Sequence, residues 1–210
     1  MEGMTSQSSH ARAQAPEDAK AHLRASVRKA RAHRSIRRNE ELAEALRDQV
    51  LQLPSVDNAQ CVSVYASRPH EPGTLPLISA LHDRGVRVLI PCLGDGLQRG
   101  WGEYNGADDL IERAPGRPPE PSGNFLPSEA LEQADVVVVP ALAVDLVGTR
   151  LGQGGGWYDR ALTYARPDAP VVALTFTSEF HSDGTVLPRE PHDRPVNAVI
   201  TPQGITSLPA

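Results

Sequence analysis

Between residues 17 and 53 the apolar positions recur at helical intervals. Leu23 and Val27 stand four apart, and Leu42, Leu46 and Val50 keep the same spacing. Ser35 suits the N-cap of a second helix, and Pro54 closes the region. The pattern then alternates. Cys61–Ala66 is strand-like, a helix capped by Thr74 runs to about Asp83 and ends at Gly85, and Val86–Ile90 is a second strand stopped by Pro91. This rhythm implies parallel strands joined by a right-handed crossover.

Residues 93–127 are rich in Gly and Pro and only weakly periodic. Such a stretch inside a compact domain is either functional or conceals elements. Short extended pieces are expected around Trp101–Tyr104. The rhythm returns with a short helix from Ser128 to Gln133 and a β-branched run, Asp135–Pro140, that reads as a central buried strand. A helix from Gly156 to about Ala165, a strand Val171–Phe176 and a last strand Asn197–Thr201 complete the reading. The expected fold is three-layer α/β/α, with a mostly parallel, Rossmann-like sheet preceded by N-terminal helices. Residues 17–210 form one domain, and residues 1–16 are expected to be a disordered polar tail.

Composition narrows the function. Hydrophobic content of 40% and charged content of 22% are ordinary for a globular protein of 210 residues. A net charge of −5 argues against whole-molecule attraction to nucleic acid or an acidic membrane. No apolar run reaches the length of a membrane span, and the N-terminus has no apolar core of a secretory signal. Cys61 and Cys92 read as buried thiols of a cytoplasmic protein, and no C-x-x-C motif is present. Lys20 to Arg38 holds eight basic residues and no acidic one, which by default is a solvated face.

Candidate chemistry concentrates in residues 144–162, VDLVGTRLGQGGGWYDRAL, between the most apolar strand and a helix. Ligands in open α/β sheets sit beyond the carboxyl ends of strands. Gly152, Gly154, Gly155 and Gly156 permit positive φ and close backbone approach, so their amides can form an anion nest. The start of the following helix adds positive potential, and Arg150 can present a forked donor to phosphate oxygens. A bare strand-to-helix turn needs fewer glycines. The Gly-Lys-Ser/Thr ending of a P-loop is absent, and Trp157 breaks the dinucleotide fingerprint. Asp159 could hold magnesium on nucleotide phosphates, with Asp193 as second carboxylate. Read alone, Asp159 equally suits a helix-dipole partner, and Asp193, before Arg-Pro, suits a turn better than a metal ligand. His70, His181 and His192 form no metal motif.

The run GTRLGQGGGWYDRAL resembles the signature of the 5-formyltetrahydrofolate cyclo-ligase family, G-x-R-L-G-x-G-x-G-[YW]-Y-D. Lys20 and Arg24 match its opening K-x-x-x-R helix, VYASRPHEPGTLPLI its glutamate-bearing loop, Glu120-Pro121 its central Glu-Pro pair, and PHDRPVNAVITPQG its closing aspartate and strand. Gln153 departs from the aromatic or basic residue common there. The resemblance implies an ATP- and magnesium-dependent enzyme of folate metabolism that closes 5-formyltetrahydrofolate to 5,10-methenyltetrahydrofolate through a phosphorylated formyl group, releasing ADP and phosphate. Lys20, Arg24, Arg150, Leu151, Gly152, Gln153, Gly154, Gly155, Gly156, Trp157 and Tyr158 would hold the nucleotide. Ala66, Glu71, Trp157 and Tyr158 would hold the folate, Arg150 and Tyr158 would act in catalysis, and Asp159 and Asp193 would bind Mg2+. A cytoplasmic monomer with a small-molecule partner, and neither nucleic acid nor membrane, is expected. Two other readings stay open: a non-catalytic folate- or nucleotide-binding protein on the same scaffold, and a nucleic-acid module using the basic helix.

Overall fold

The computed structural model describes residues 6–189 and 194–209. Helix α1 is Ser6–Ala32, so residues 6–16 are helical rather than a tail. Ala11, Ala13 and Ala15 are strong helix formers, and helix propensity needs no apolar stripe. Helix α2, Ile36–Val50, begins as expected: the Ser35 side chain accepts from the Arg38 amide. Its Leu42, Ala43, Leu46 and Val50 are buried. Pro54 does not end the helical region but opens a further turn, α3 (Pro54–Asp57), where its missing donor is harmless.

Strand β1 (Cys61–Val64), helix α4 (Leu75–Asp83) and strand β2 (Arg87–Leu93) form the expected unit. Thr74 stands at the N-cap without capping the helix. Its hydroxyl instead donates to the Tyr65 carbonyl at 2.6 Å. Pro91 does not stop β2: pairing with β1 ends at Leu89, so the missing N–H falls beyond that ladder. The irregular stretch contains β3 (Arg99–Glu103), β4 (Leu110–Ile111), β5 (Glu120–Pro121) and β6 (Leu126–Pro127). A 3-10 turn, Ser128–Gln133, leads into β7 (Val136–Pro140), β8 (Ala143–Asp145) and β9 (Arg150–Leu151). Helix α5 is short, Trp157–Ala161, and gives way to a 3-10 turn. Strands β10 (Val171–Leu174), β11 (Phe180–His181), β12 (Ala198–Thr201) and β13 (Gly204–Ser207) follow. Asn197–Thr201 is therefore not the last strand; Thr201–Gly204 turns the backbone into antiparallel β13.

The main sheet has the order β13-β12-β10-β7-β1-β2-β3-β6. Its five central strands are parallel, and β13, β3 and β6 add antiparallel edges. Every residue of β1, β10 and β12 is buried, so both faces of the sheet are covered. Helix α2 packs on α4 and against β12, while the turn at 128–133 packs on β3. Val136–Val139 are fully buried, each stabilising by about 1.5 kcal/mol or more over an exposed valine. From β1 the path steps to β2 on one side and later to β7 on the other. The order of strands thus reverses between β1 and β7, where open α/β sheets form a crevice.

Candidate active site

A cleft of about 270 Å³ opens at that reversal. Ala66 and Glu71 enter it after β1, Pro91 and Leu93 from the end of β2, Pro140 from the end of β7, and residues 152–159 form the facing wall. The loop after β1 is braced internally. Tyr65 donates its hydroxyl to the Pro72 carbonyl at 2.7 Å, and Ser67 donates its amide to the Thr74 hydroxyl at 3.1 Å. His70 takes a positive φ of 68°, a strained value for a non-glycine residue, immediately before Glu71. Glu71 accepts from the Arg68 amide at 2.9 Å, and its side chain is only 9% exposed.

The glycine loop is held by its carbonyls. Arg24 Nε donates to Gly152 O at 3.1 Å, Arg28 Nη2 to Gln153 O at 2.9 Å, and Arg99 to Gly156 O at 3.0 Å and Gly155 O at 3.2 Å. Among the described residues, the amides of 153–156 donate to no acceptor. Three guanidinium groups hold the acceptors, so the donors remain for a ligand, which is the logic of an anion nest. Side chains would close this cradle. A Cβ at 152 would stand 2.9 Å from Arg150 Nη1, and one at Gly154, where φ is +93°, would press on the Arg24 guanidinium at 3.4 Å. The expected help from a helix start is weak, since α5 has five residues and Gly156 before it is left-handed.

Arg150 and Asp159 flank the loop and pair at 2.9 Å. Tyr158 is buried beside them with Arg150 Cζ 5.7 Å from its ring centroid, and its hydroxyl has no partner among the described residues. Burial pushes that phenol well above its ordinary pKa, so the group stays a neutral donor. Trp157 lines the cleft, braced edge-on against Trp101 at 4.9 Å and Tyr158 at 4.8 Å.

Most of the expected site residues therefore meet in one cleft. Lys20 and Arg24 do not line it; Lys20 is buried one turn before Arg24, which grips the loop from behind. Leu151 packs its side chain with Leu142, Ala143 and Leu187. Asp193 lies outside the described residues. Among the described residues no group of three metal-ligating side chains is assembled.

The basic stretch, expected to be mainly solvated, is partly built into the fold. Lys20, Arg24, Arg28 and Arg31 follow at helical intervals. Arg31 is buried and donates to both Glu179 oxygens at 2.8 and 2.7 Å and to Ala141 O at 2.6 Å. Leu23 and Val27 seat α1 on the cluster that contains Leu151. Arg28, Arg31 and Arg99 were not legible as site or anchor residues, although the four-residue spacing of Arg28 from Arg24 was available as a signal.

A model of the 5-formyltetrahydrofolate cyclo-ligase family matches residues 16–202. A 5-formyltetrahydrofolate cyclo-ligase of Mycolicibacterium smegmatis is 39% identical over 173 residues, covering 79% of this chain and 85% of the relative. One from Escherichia coli K12 is 30% identical over 172 residues, covering 79% and 91%. The solved structure of Aquifex aeolicus 5,10-methenyltetrahydrofolate synthetase superposes with a TM-score of 0.75 at 26% identity, covering 91% of this chain and 93% of that one.

Proposed function

The chain belongs to the 5-formyltetrahydrofolate cyclo-ligase family, and from that premise we propose that it uses ATP and magnesium to convert 5-formyltetrahydrofolate into 5,10-methenyltetrahydrofolate, ADP and phosphate. The observation that carries this reading is one cleft lined by Glu71, Tyr158 and residues 153–156, where the loop amides and the Tyr158 hydroxyl have no partner among the described residues.

The formyl oxygen is a poor leaving group. Transfer of the γ-phosphoryl group to it breaks the terminal P–O bond of ATP and forms a new P–O bond. N10 then attacks the activated carbon and loses its proton, and the C–O bond breaks to release phosphate. Phosphoryl transfer asks the protein mainly for positioning and charge stabilisation. The loop amides and Arg150 would hold phosphate oxygens, with Arg24 fixing the loop and Lys20 adding positive charge behind it. Glu71 would accept paired N–H donors of the pterin. Trp157 would offer a ring face, and Tyr158 would donate to the oxygen that gains the phosphoryl group.

Asp159 fits a magnesium ion. One oxygen pairs with Arg150, the carboxylate is one-third exposed at the cleft, and magnesium needs few protein ligands beside phosphates and water. Asp193 is proposed as its second carboxylate. When bound, the ion supplies neutralising charge to the phosphates. Two buried unpaired thiols suit a reducing cytoplasm.

The test is 5-formyltetrahydrofolate carrying 18O in its formyl group. Its label should appear in the released phosphate. Label released as water instead would rule out the phosphorylated intermediate, and absence of product would rule out the activity.

A further inference from the structure

Gln153 stands between the two halves of the cleft. Its side-chain oxygen accepts from Arg28 Nε at 3.1 Å and Nη2 at 2.9 Å, and its own carbonyl accepts from the same Nη2 at 2.9 Å. Its amide nitrogen donates to Glu71 Oε1 at 2.9 Å. The orientation of the amide is dictated by its neighbours: a guanidinium can only donate and a carboxylate can only accept. Reversal would set NH2 against N–H and oxygen against carboxylate. A single side chain thus joins α1, the glycine loop and the loop after β1.

Neither end of this series of contacts is slack. Glu71 is held on its other oxygen by the Arg68 amide at 2.9 Å and follows the strained His70. On the far side, Gln153 lies between Gly152, whose carbonyl Arg24 grips, and Gly154, which has a positive φ. Glu71 therefore cannot shift without disturbing its contact with Gln153, and Gln153 is bonded directly to the loop residues on either side.

We propose that Gln153 is a positioning residue that couples the folate half of the site to the nucleotide half, so that each ligand tightens the binding of the other. This rests on the reading of Glu71 as the pterin carboxylate and of residues 152–156 as the phosphate cradle. Because the contacts at both ends are already made, a shift of Glu71 or of the loop on binding one ligand is passed through Gln153 to the other half, which couples the two binding free energies without a large movement. Linkage requires the effect to be the same in both directions.

The test uses the full-length protein with magnesium, a non-hydrolysable ATP analogue and 5-formyltetrahydrofolate, each titrated calorimetrically with and without the other. In the wild type the dissociation constant of each should fall by about 5-fold or more when the other is saturating, by the same factor both ways. In Gln153→Leu the factor should fall to within about twofold of one, whatever happens to either affinity alone. Gln153→Asn is the second variant: its amide is one methylene too short to span Arg28 and Glu71, so it should lose the coupling too. Independent binding in the wild type, or coupling retained in both variants, overturns the proposal while leaving the activity standing. Failure of the wild type to bind either ligand overturns both.

Discussion

Arg150 Nη2 donates to Asp159 Oδ1 at 2.9 Å, so the cation and the carboxylate that bracket the glycine loop close it into a ring. The pair is partly buried: 6% of the arginine side chain and 34% of the aspartate side chain are open to solvent. Each partner therefore has a structural duty besides the one proposed in catalysis.

Asp159→Asn separates the two duties. The amide oxygen still accepts from Arg150, but the charge that would hold magnesium is gone. Turnover should fall by roughly two orders of magnitude, the scale of losing one preorganised electrostatic contact, while the melting temperature shifts by about 4 °C or less. Near-normal turnover at saturating magnesium would remove Asp159 from the metal site.

Tyr158→Phe deletes one buried hydroxyl that has no partner among the described residues. Because no hydrogen bond among the described residues is lost, stability should be unchanged or slightly raised. If the hydroxyl donates to the reacting oxygen, kcat should drop by about 100-fold with little change in KM. An equal loss of stability and activity would show instead that the ring packing had been disturbed.

Arg31 and Glu179 bind α1 to the carboxyl ends of β7 and β10. Arg31 also reaches Ala141 O, while Glu179 accepts from the Phe176 amide at 3.0 Å. Glu179→Ala should destabilise by about 3 kcal/mol or more in urea unfolding, because it strands a buried guanidinium. Replacing both, with Arg31→Met and Glu179→Leu, should cost less than the sum of the single changes. Additive losses would mean that the two residues do not act as a pair.

Burial pushes the Cys61 thiol up to about 11 and the Cys92 thiol up to about 12, from an ordinary 9.0. Below pH 9 both states keep their protons, and the stability linked to these groups is fully present. As pH rises from 9 towards 11 and 12 the unfolded thiols ionise while the folded ones do not, so stability declines. The slope should approach about 1.4 kcal/mol per pH unit for each thiol. Urea midpoints measured across this range in Cys61→Ala and Cys92→Ala should show correspondingly shallower slopes.

The parts of the fold that were legible were those with one unambiguous pattern. Val136–Val139 could be placed in the sheet centre because nothing polar interrupts them. The glycine loop stood out because four glycines in five positions exceed the needs of a turn. Strand β3 was less distinct, since Gly100 and Gly102 dilute its pattern, and both are glycine because neighbours stand too close for a Cβ. Strand β13 is half-exposed and follows a tight return, so it lacks the apolar run that marks β12.

The basic helix was hidden for a different reason. A run of cations looks the same from sequence whether its partners are solvent or residues more than a hundred positions away. Arg28 meets Gln153 and Arg31 meets Glu179 only after the parallel sheet has assembled. Arg99 likewise reaches the glycine loop from a strand that periodicity barely marked. The charges most exposed to misreading were those whose partners are set by topology.

The most direct measurement is the ultraviolet absorbance of the methenyl product, followed in acid after incubating the purified protein with 5-formyltetrahydrofolate, ATP and magnesium. The chromophore should accumulate in proportion to ADP, and omission of ATP or magnesium, or the Asp159→Asn change, should abolish or nearly abolish it. Absence of the chromophore with all three present, or its formation at full rate without ATP, would contradict a nucleotide-driven ring closure in this cleft.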